Sequence, residues 1–229
     1  MRVKWQLTFE LLTTSRPEAV YLALRQSIVS TVDAPGSVLT EATVADRYAV
    51  ARPTAKAAIE RLVSEGLLVR TAHRTARVPI LDESDIRDLY ASRVVIEEAG
   101  LRNLALTGTV PGDAKQAHRD LTAAAAEGEE ATFARADIAF HRALVLGQSS
   151  TRLARMHALI MGEIELCIGQ VDSKRLLSAT IVAAQHQGIL DAVIAADAEL
   201  AGTRTREHIL TSRDRLLGSL ASGTTERTN

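Results

Sequence analysis

The C-terminal part of the chain, from Asp82 onward, is a succession of helical segments separated only by short breaks. Glycine or small polar residues interrupt the helical pattern at Thr107-Gly108, Gly128, 147–150, 170–173 and Ala196-Asp197. These breaks predict six helices, at about 83–106, 111–127, 129–146, 151–169, 174–195 and 197–219. We find no strand pattern here, and aromatic residues make up only 3% of the chain. The pattern predicts an antiparallel helical bundle, whose interior can house a metal or ligand site.

The N-terminal part has a different organisation of shorter elements. Helical spacing predicts helices at 17–31, 41–48 and 52–65, and two β-like runs follow at 67–70 and 76–79. Three helices followed by a hairpin is the order of a winged helix-turn-helix. The predicted fold is therefore mainly α, with a winged helix-turn-helix domain at 1–80 and an all-helical domain at 82–222.

Charge separates the same two parts. Residues 1–80 contain eleven Lys and Arg against seven Asp and Glu, whereas the remainder contains sixteen against twenty-one. Residues 47–77 alone have seven basic residues and only Glu60 and Glu65 as acidic ones. Charge by itself favours a solvated helix face over a DNA contact. The predicted geometry favours DNA, because the third helix would enter the major groove with Arg52, Thr54 and Lys56 facing the bases.

The string PGSVLTEATVADRYAVARPTAKAAIERLVSEGLLVR resembles the N-terminal domain of the GntR family of bacterial transcriptional regulators. The resemblance implies that Arg52, Lys56 and the wing residue Arg74 contact operator DNA, with Thr54 as a further candidate. The chain departs from the family pattern at Ala51, where a hydroxylated residue usually caps the recognition helix.

Four of the polar side chains in the predicted bundle form a candidate metal-binding group. Asp137 and His141 are four residues apart and therefore share a helix face, while His186 and His208 lie on two other predicted helices. One carboxylate and three imidazoles would suit a divalent transition metal, Zn, Ni, Mn or Fe. An Asp/His pair at this spacing can equally be an ordinary helix-stabilising pair, so the interpretation requires the fold to bring all four together.

The same segments resemble the all-helical FCD effector domain found in the FadR-type branch of GntR regulators. The resemblance lies in Arg93-x-x-x-Glu97 and in the ordered set Asp137, His141, His186 and His208. Six helices resemble the VanR-like subgroup, and Gln185 stands where a glutamate usually precedes the histidine. The resemblance implies that the four residues bind a metal.

Arg93 has two readings from the sequence. It is four residues from Glu97, so the two could form a helical ion pair. Alternatively, its guanidinium could face the cavity and bind the carboxylate of an effector. The remaining histidines in the bundle, His118 and His157, have no partner that the sequence identifies, which favours surface or structural roles.

These features predict a ligand-responsive DNA-binding regulator, expected to be a repressor, that binds operator DNA as a homodimer and responds to a small carboxylate-bearing effector. A helical metal-dependent hydrolase is an alternative, although no motif supplies its acid or base, and Glu163 or Glu165 could serve only by assumption. A DNA-binding protein with a purely structural dimerisation domain is another. The single Cys167 and the absence of a secretory signal or a long apolar run predict a cytoplasmic protein without a membrane role.

Overall fold

A computed structural model of the chain describes residues 15–70, 75–148, 150–170 and 179–226. Its N-terminal part has five elements in the order helix, strand, helix, helix, strand. They are α1 (Arg16–Val29), β1 (Val38–Leu39), α2 (Glu41–Tyr48), α3 (Arg52–Ser64) and β2 (Ala76–Arg77). The three helices agree with the predicted ones to within two residues at either end.

Helix α2 begins where its sequence provides a cap. The Thr40 hydroxyl accepts a hydrogen bond from the Thr43 amide, and the Thr43 hydroxyl accepts one from the Thr40 amide. This reciprocal capping box satisfies two backbone donors that a helix start otherwise leaves unpaired. The helix ends at Ala49, whose left-handed conformation (φ 51°) turns the chain toward α3.

The wing is built differently from the predicted hairpin. Val69 and Arg77 exchange two backbone hydrogen bonds, as expected for pairing of the two β-like runs. In addition, β1 pairs antiparallel with β2, with Val38 opposite Arg77 and Leu39 opposite Ala76. Strand β1 is too short for sequence periodicity to reveal it.

The C-terminal part contains six helices within the described residues. They are α4 (Glu83–Ala105), α5 (Gly112–Glu127), α6 (Glu130–Leu146), α7 (Thr151–Gln170), α8 (Ala179–Ile194) and α9 (Ala198–Glu226). The order matches the prediction, although the predicted start of the fifth bundle helix at 174 lies outside the described residues. Helix α4 packs against α6, α7, α8 and α9, which places it in the centre of the bundle.

Two of the apolar cores lie on either side of α7. The N-terminal core is formed by α1, α2, α3 and the wing, and it also includes Leu166 of α7. A second core joins α4, α6, α7 and α9 around Tyr90, Ile164 and Ile209. Helix α7 therefore contributes to both parts of the molecule. Among the described residues, no helix combines the length and apolarity that a bilayer crossing requires.

Candidate functional site

The first turn of α3 presents the residues expected to contact DNA. Arg52 and Lys56 are exposed and Thr54 is half-buried, while the opposite face of the helix is buried in the N-terminal core. Within the part of the chain that the structure describes, no carboxylate pairs with Arg52 or Lys56. Ala51 precedes the helix and provides no side-chain cap. The start of α3 therefore presents two exposed basic side chains and backbone amides that no side chain caps. Both can donate hydrogen bonds to a phosphate group.

Much of the other basic charge in this region is neutralised by contacts that the local sequence does not reveal. Arg47 contacts Asp33 at 2.7 Å, Arg61 contacts Glu18 at 2.6 Å and Glu65 at 3.1 Å, and Arg70 contacts Glu60 at 2.7 Å. Glu18 and Asp33 lie outside residues 47–77, so the charge of that segment overstates the free positive charge. The predicted wing contact Arg74 lies outside the described residues.

The bundle brings the four predicted metal-binding residues together. Asp137 and His141 lie on α6, His186 on α8 and His208 on α9. One ligand atom from each lies within 4.8 Å of all the others. His208 Nε2 is 3.1 Å from His141 Nε2 and 3.3 Å from His186 Nε2, and Asp137 Oδ1 is 3.3 Å from His186 Nε2. The imidazoles are buried and Asp137 is partly exposed.

These separations fit a bound cation. Two atoms that each lie about 2.1 Å from one metal ion are about 3.0 Å apart at a right angle and about 3.4 Å apart at a tetrahedral angle. Burial and the neighbouring imidazoles hold the pKa values of His186 and His208 well below the usual range. Neutral imidazoles are the form that binds metal. Three imidazole nitrogens and a carboxylate oxygen within 4.8 Å of one another provide the donor set of a transition-metal site.

Two further side chains orient two of the three imidazoles, whereas the Nδ1 of His186 has no hydrogen-bond partner among the described residues. Glu97 Oε2 lies 2.6 Å from His141 Nδ1, and Gln185 Oε1 lies 3.0 Å from His208 Nδ1. Because carboxylate and amide oxygens accept hydrogen bonds, both Nδ1 atoms donate, and the Nε2 atom of each ring is directed toward the other members of the group. Gln185 thus performs an orienting role even though the related family pattern has glutamate there.

Glu97 is a buried hub that the sequence did not identify. Besides His141, its carboxylate accepts hydrogen bonds from Arg93 Nε at 2.6 Å and from His157 Nε2 at 2.9 Å. Burial favours protonation of Glu97, but Arg93 and His141 outweigh it and lower the pKa well below the usual value. His157 is therefore buried and partnered. His118 has no hydrogen bond to Glu97 among the described residues; it contacts Gln187 at 3.1 Å, and its ring centroid lies 6.3 Å from that of His186.

A cavity of about 290 Å³ opens beside the four-residue group. Its wall includes Asp137 and Arg93, with Arg215 and Ser212 nearby and apolar side chains such as Phe133 opposite. Arg93 pairs with Glu97, as the first reading predicted, and it also lines the cavity, while effector binding stays a prediction. Its buried Nη2 has no hydrogen-bond partner among the described residues. An arginine that lines a cavity and keeps one guanidinium nitrogen unpaired is suited to an anionic ligand.

The acidic residues considered for a hydrolase lie elsewhere. Glu165 pairs with Arg25 of α1, and Glu163 lies against Gly66. Both therefore face the N-terminal part of the molecule.

Comparison with known proteins agrees with the two-part architecture. The profile for bacterial regulatory proteins of the gntR family matches residues 17–78, and the profile for the FCD domain matches residues 88–211.

Individual relatives are regulators of the same type. The HTH-type transcriptional regulator BphR of Paraburkholderia xenovorans (strain LB400) is 28% identical over 208 residues, which is 85% of this chain and 82% of that protein. An HTH-type transcriptional regulator in an unstable DNA locus of Streptomyces ambofaciens is 29% identical over 203 residues, 83% of this chain and 80% of that protein.

Among solved structures, one described as a GntR transcriptional regulator from Rhodococcus sp. RHA1 is similar, with a TM-score of 0.76 and 26% identity, and the match covers 90% of this chain and 99% of that one. These families and relatives are transcriptional regulators and not enzymes. The chain therefore belongs to the GntR family of DNA-binding transcriptional regulators and carries a C-terminal FCD domain.

Proposed function

We propose that this regulator is a repressor whose C-terminal domain, about residues 82–222, binds a divalent transition metal and a small organic acid. The observation that carries the proposal is the convergence of Asp137, His141, His186 and His208, with ligand atoms within 4.8 Å of one another. A metal bound there would supply a Lewis acid for an effector carboxylate. Zn, Ni, Mn and Fe all suit this donor set.

The effector would occupy the cavity beside this group. Arg93 and Arg215 on the cavity wall provide positive charge for a carboxylate, and the apolar side chains opposite favour a small organic body. A thermal-shift screen of mono- and dicarboxylates on the Zn²⁺-loaded protein tests this part. Stabilisation by some acids in the wild type, but not in Arg93→Met, is expected. Equal responses of the two proteins would contradict a role for Arg93.

Operator binding is assigned to the N-terminal domain, about residues 1–80, with α3 in the major groove. Arg52 and Lys56 would contact DNA, together with Thr54 and Arg74 at the helix start and wing. A homodimer would present two such helices to a two-fold symmetric site, and light scattering measures this state directly. By linkage, an effector releases DNA only if it binds the released conformation more tightly.

The metal assignment is tested by replacing His186 and His208 together with alanine. Elemental analysis of the purified protein should show loss of the bound metal, while His118→Ala, a histidine outside the group, should retain it. Full metal content in the double variant would reject the site.

The DNA assignment is tested on a duplex that the wild-type protein selects from a random pool. Lys56→Ala should weaken binding and reduce the log-log salt slope by about 0.9, as expected for one lost phosphate contact. Lys115→Ala, which removes an exposed lysine on α5, should change neither. Equal behaviour of the two variants would count against α3 as the DNA-contacting helix.

A further inference from the structure

Helix α7 is packed directly onto the DNA-binding domain. Leu166 is fully buried in the N-terminal core, and the Gln170 amide donates a hydrogen bond to the Pro79 carbonyl at 3.1 Å. Gly169 lies so close to α1 that a Cβ there would clash with the Val29 carbonyl oxygen. A displacement of α7 therefore cannot leave α1 unaffected, because packed interiors transmit strain.

An ion-pair bridge strengthens the same junction and connects it to α6. Glu165 of α7 accepts hydrogen bonds from both terminal guanidinium nitrogens of Arg25 on α1, and Arg142 of α6 lies 3.6 Å from the same carboxylate. The Arg25 and Glu165 side chains are only 18% and 14% exposed, so water screens this pair weakly. Arg142 directly follows the candidate ligand His141 in the sequence.

The other half of α7 reaches the candidate metal centre. His157 Nε2 donates to Glu97 Oε1 at 2.9 Å, and the other oxygen of this carboxylate accepts from His141. Arg93, which lines the cavity and has a buried Nη2 without a hydrogen-bond partner among the described residues, donates to Glu97 as well. One buried carboxylate is thus shared by a candidate metal ligand, a cavity residue and α7. Glu165 follows His157 by eight positions, which is about 12 Å along the continuous helix.

We propose that α7 transmits occupancy of the metal and effector site to the DNA-binding domain. His157 connects α7 to the site through Glu97, and Glu165 connects α7 to α1 through Arg25. The inference rests on the proposed function and adds the route of regulation. A cation bound by His141, or an anion bound by Arg93, changes the hydrogen bonds that Arg93, His141 and His157 donate to Glu97. His157 must then adjust, and α7 moves against α1 and alters the placement of α3.

The experiment compares the dissociation constant of the full-length protein for its selected duplex in Zn²⁺ and in EDTA. Coupling between sites is commonly about 5- to 150-fold, and we expect a Zn²⁺ effect of this size in the wild type. His157→Phe should abolish the Zn²⁺ effect, because phenylalanine fills the space but cannot donate to Glu97. His157→Gln should restore much of it, since its amide can donate. His118→Phe, which changes the histidine bound to Gln187, is the matched control and should respond like the wild type.

A second variant tests the far end of the helix. Glu165→Gln removes the charge that Arg25 and Arg142 share and should also reduce the Zn²⁺ effect. Glu199→Gln is its control, because Glu199 pairs with Arg102 at 3.1 Å within the C-terminal domain. Circular dichroism checks each fold, and Glu165→Gln decides the test if His157→Phe does not fold.

The outcomes separate the inference from the function on which it rests. Wild-type Zn²⁺ effects in both His157→Phe and Glu165→Gln overturn the α7 route. Bound Zn²⁺ without any change in DNA affinity in the wild type overturns the route alone. Absence of bound Zn²⁺ from the wild type overturns the metal site and the route together.

Discussion

Glu97 contacts a residue of the candidate metal centre without being one of its four proposed ligands. It is fully buried, and its hydrogen bond to His141 Nδ1 directs the Nε2 atom of that ring toward the other proposed ligands. The sequence suggested only a helical Arg93–Glu97 pair, because spacing within one helix reveals local partners and not distant ones. His141 and His157 are 44 and 60 residues from Glu97, so three-dimensional packing was needed to identify the hub.

Replacing Glu97 by glutamine should lower the affinity for Zn²⁺ by about 10- to 100-fold, the usual effect of removing an orienting partner of a metal ligand. The variant also leaves the buried Arg93 without its charge partner, which should reduce thermal stability. Isothermal titration with Zn²⁺ measures the first effect. Glu98→Gln, which changes the adjacent residue pairing with Arg102 near the surface, should retain wild-type affinity. Matching affinities for the two variants would remove Glu97 from the metal site.

The thiol of the single cysteine should react slowly in the folded protein. Cys167 is 1% exposed, and burial together with nearby Glu163 raises its pKa to about 12. The thiolate is the reactive form, so a raised pKa keeps Cys167 protonated and unreactive at pH 8, whereas an unfolded cysteine has a pKa of about 8.5. Ellman's reagent should react slowly with native protein and rapidly in denaturant. Rapid reaction of the native protein would show that this part of α7 opens readily.

At the scale of elements, sequence patterns locate a helix start well where a capping residue precedes the helix. Thr40 caps α2 and Asp82 caps α4 through its own capping box, and both starts were predicted to within one residue. Strand β1 escaped prediction because two residues have no measurable periodicity and are defined only by pairing with β2. Its existence depends on chain segments almost forty residues apart.

Helix α3 lacks the side-chain cap that its position favours, so adding one should stabilise it. Ala51→Ser should raise the free energy of unfolding of the N-terminal domain by about 0.5–2 kcal/mol, because the new hydroxyl can accept a backbone hydrogen bond. Urea denaturation measures the change. Ala57→Ser makes the same substitution at an exposed position within α3 and should be slightly destabilising, since serine is a poorer helix former than alanine. A gain in Ala57→Ser equal to that in Ala51→Ser would rule out capping as the cause.

At the scale of the whole molecule, the sequence predicted the two-part organisation but not how the parts meet. The net charge of residues 47–77 was an incomplete guide to the DNA-binding surface, because Asp33 and Glu18 approach from other elements. The junction on α7 was also invisible in the sequence: Leu166 continues the apolar pattern of its helix but is buried among residues of α1 and α3. Which core an apolar residue joins is decided by tertiary packing and not by periodicity.

Gly169 allows this junction to close, and its replacement should loosen it. Gly169→Ala places a methyl group where the Val29 carbonyl oxygen stands, so α1 and α7 must separate. Overpacking of this kind costs about 1–3 kcal/mol, and the thermal unfolding midpoint should fall while the Zn²⁺ affinity stays near that of the wild type. Hydrogen exchange should rise in α1 and not in α6. Gly112→Ala is the control, because a Cβ there meets nothing within 4 Å in the structure. Equal midpoints and equal α1 exchange in the two variants would show that α7 does not press against α1, and the contact on which the proposed route depends would be lost.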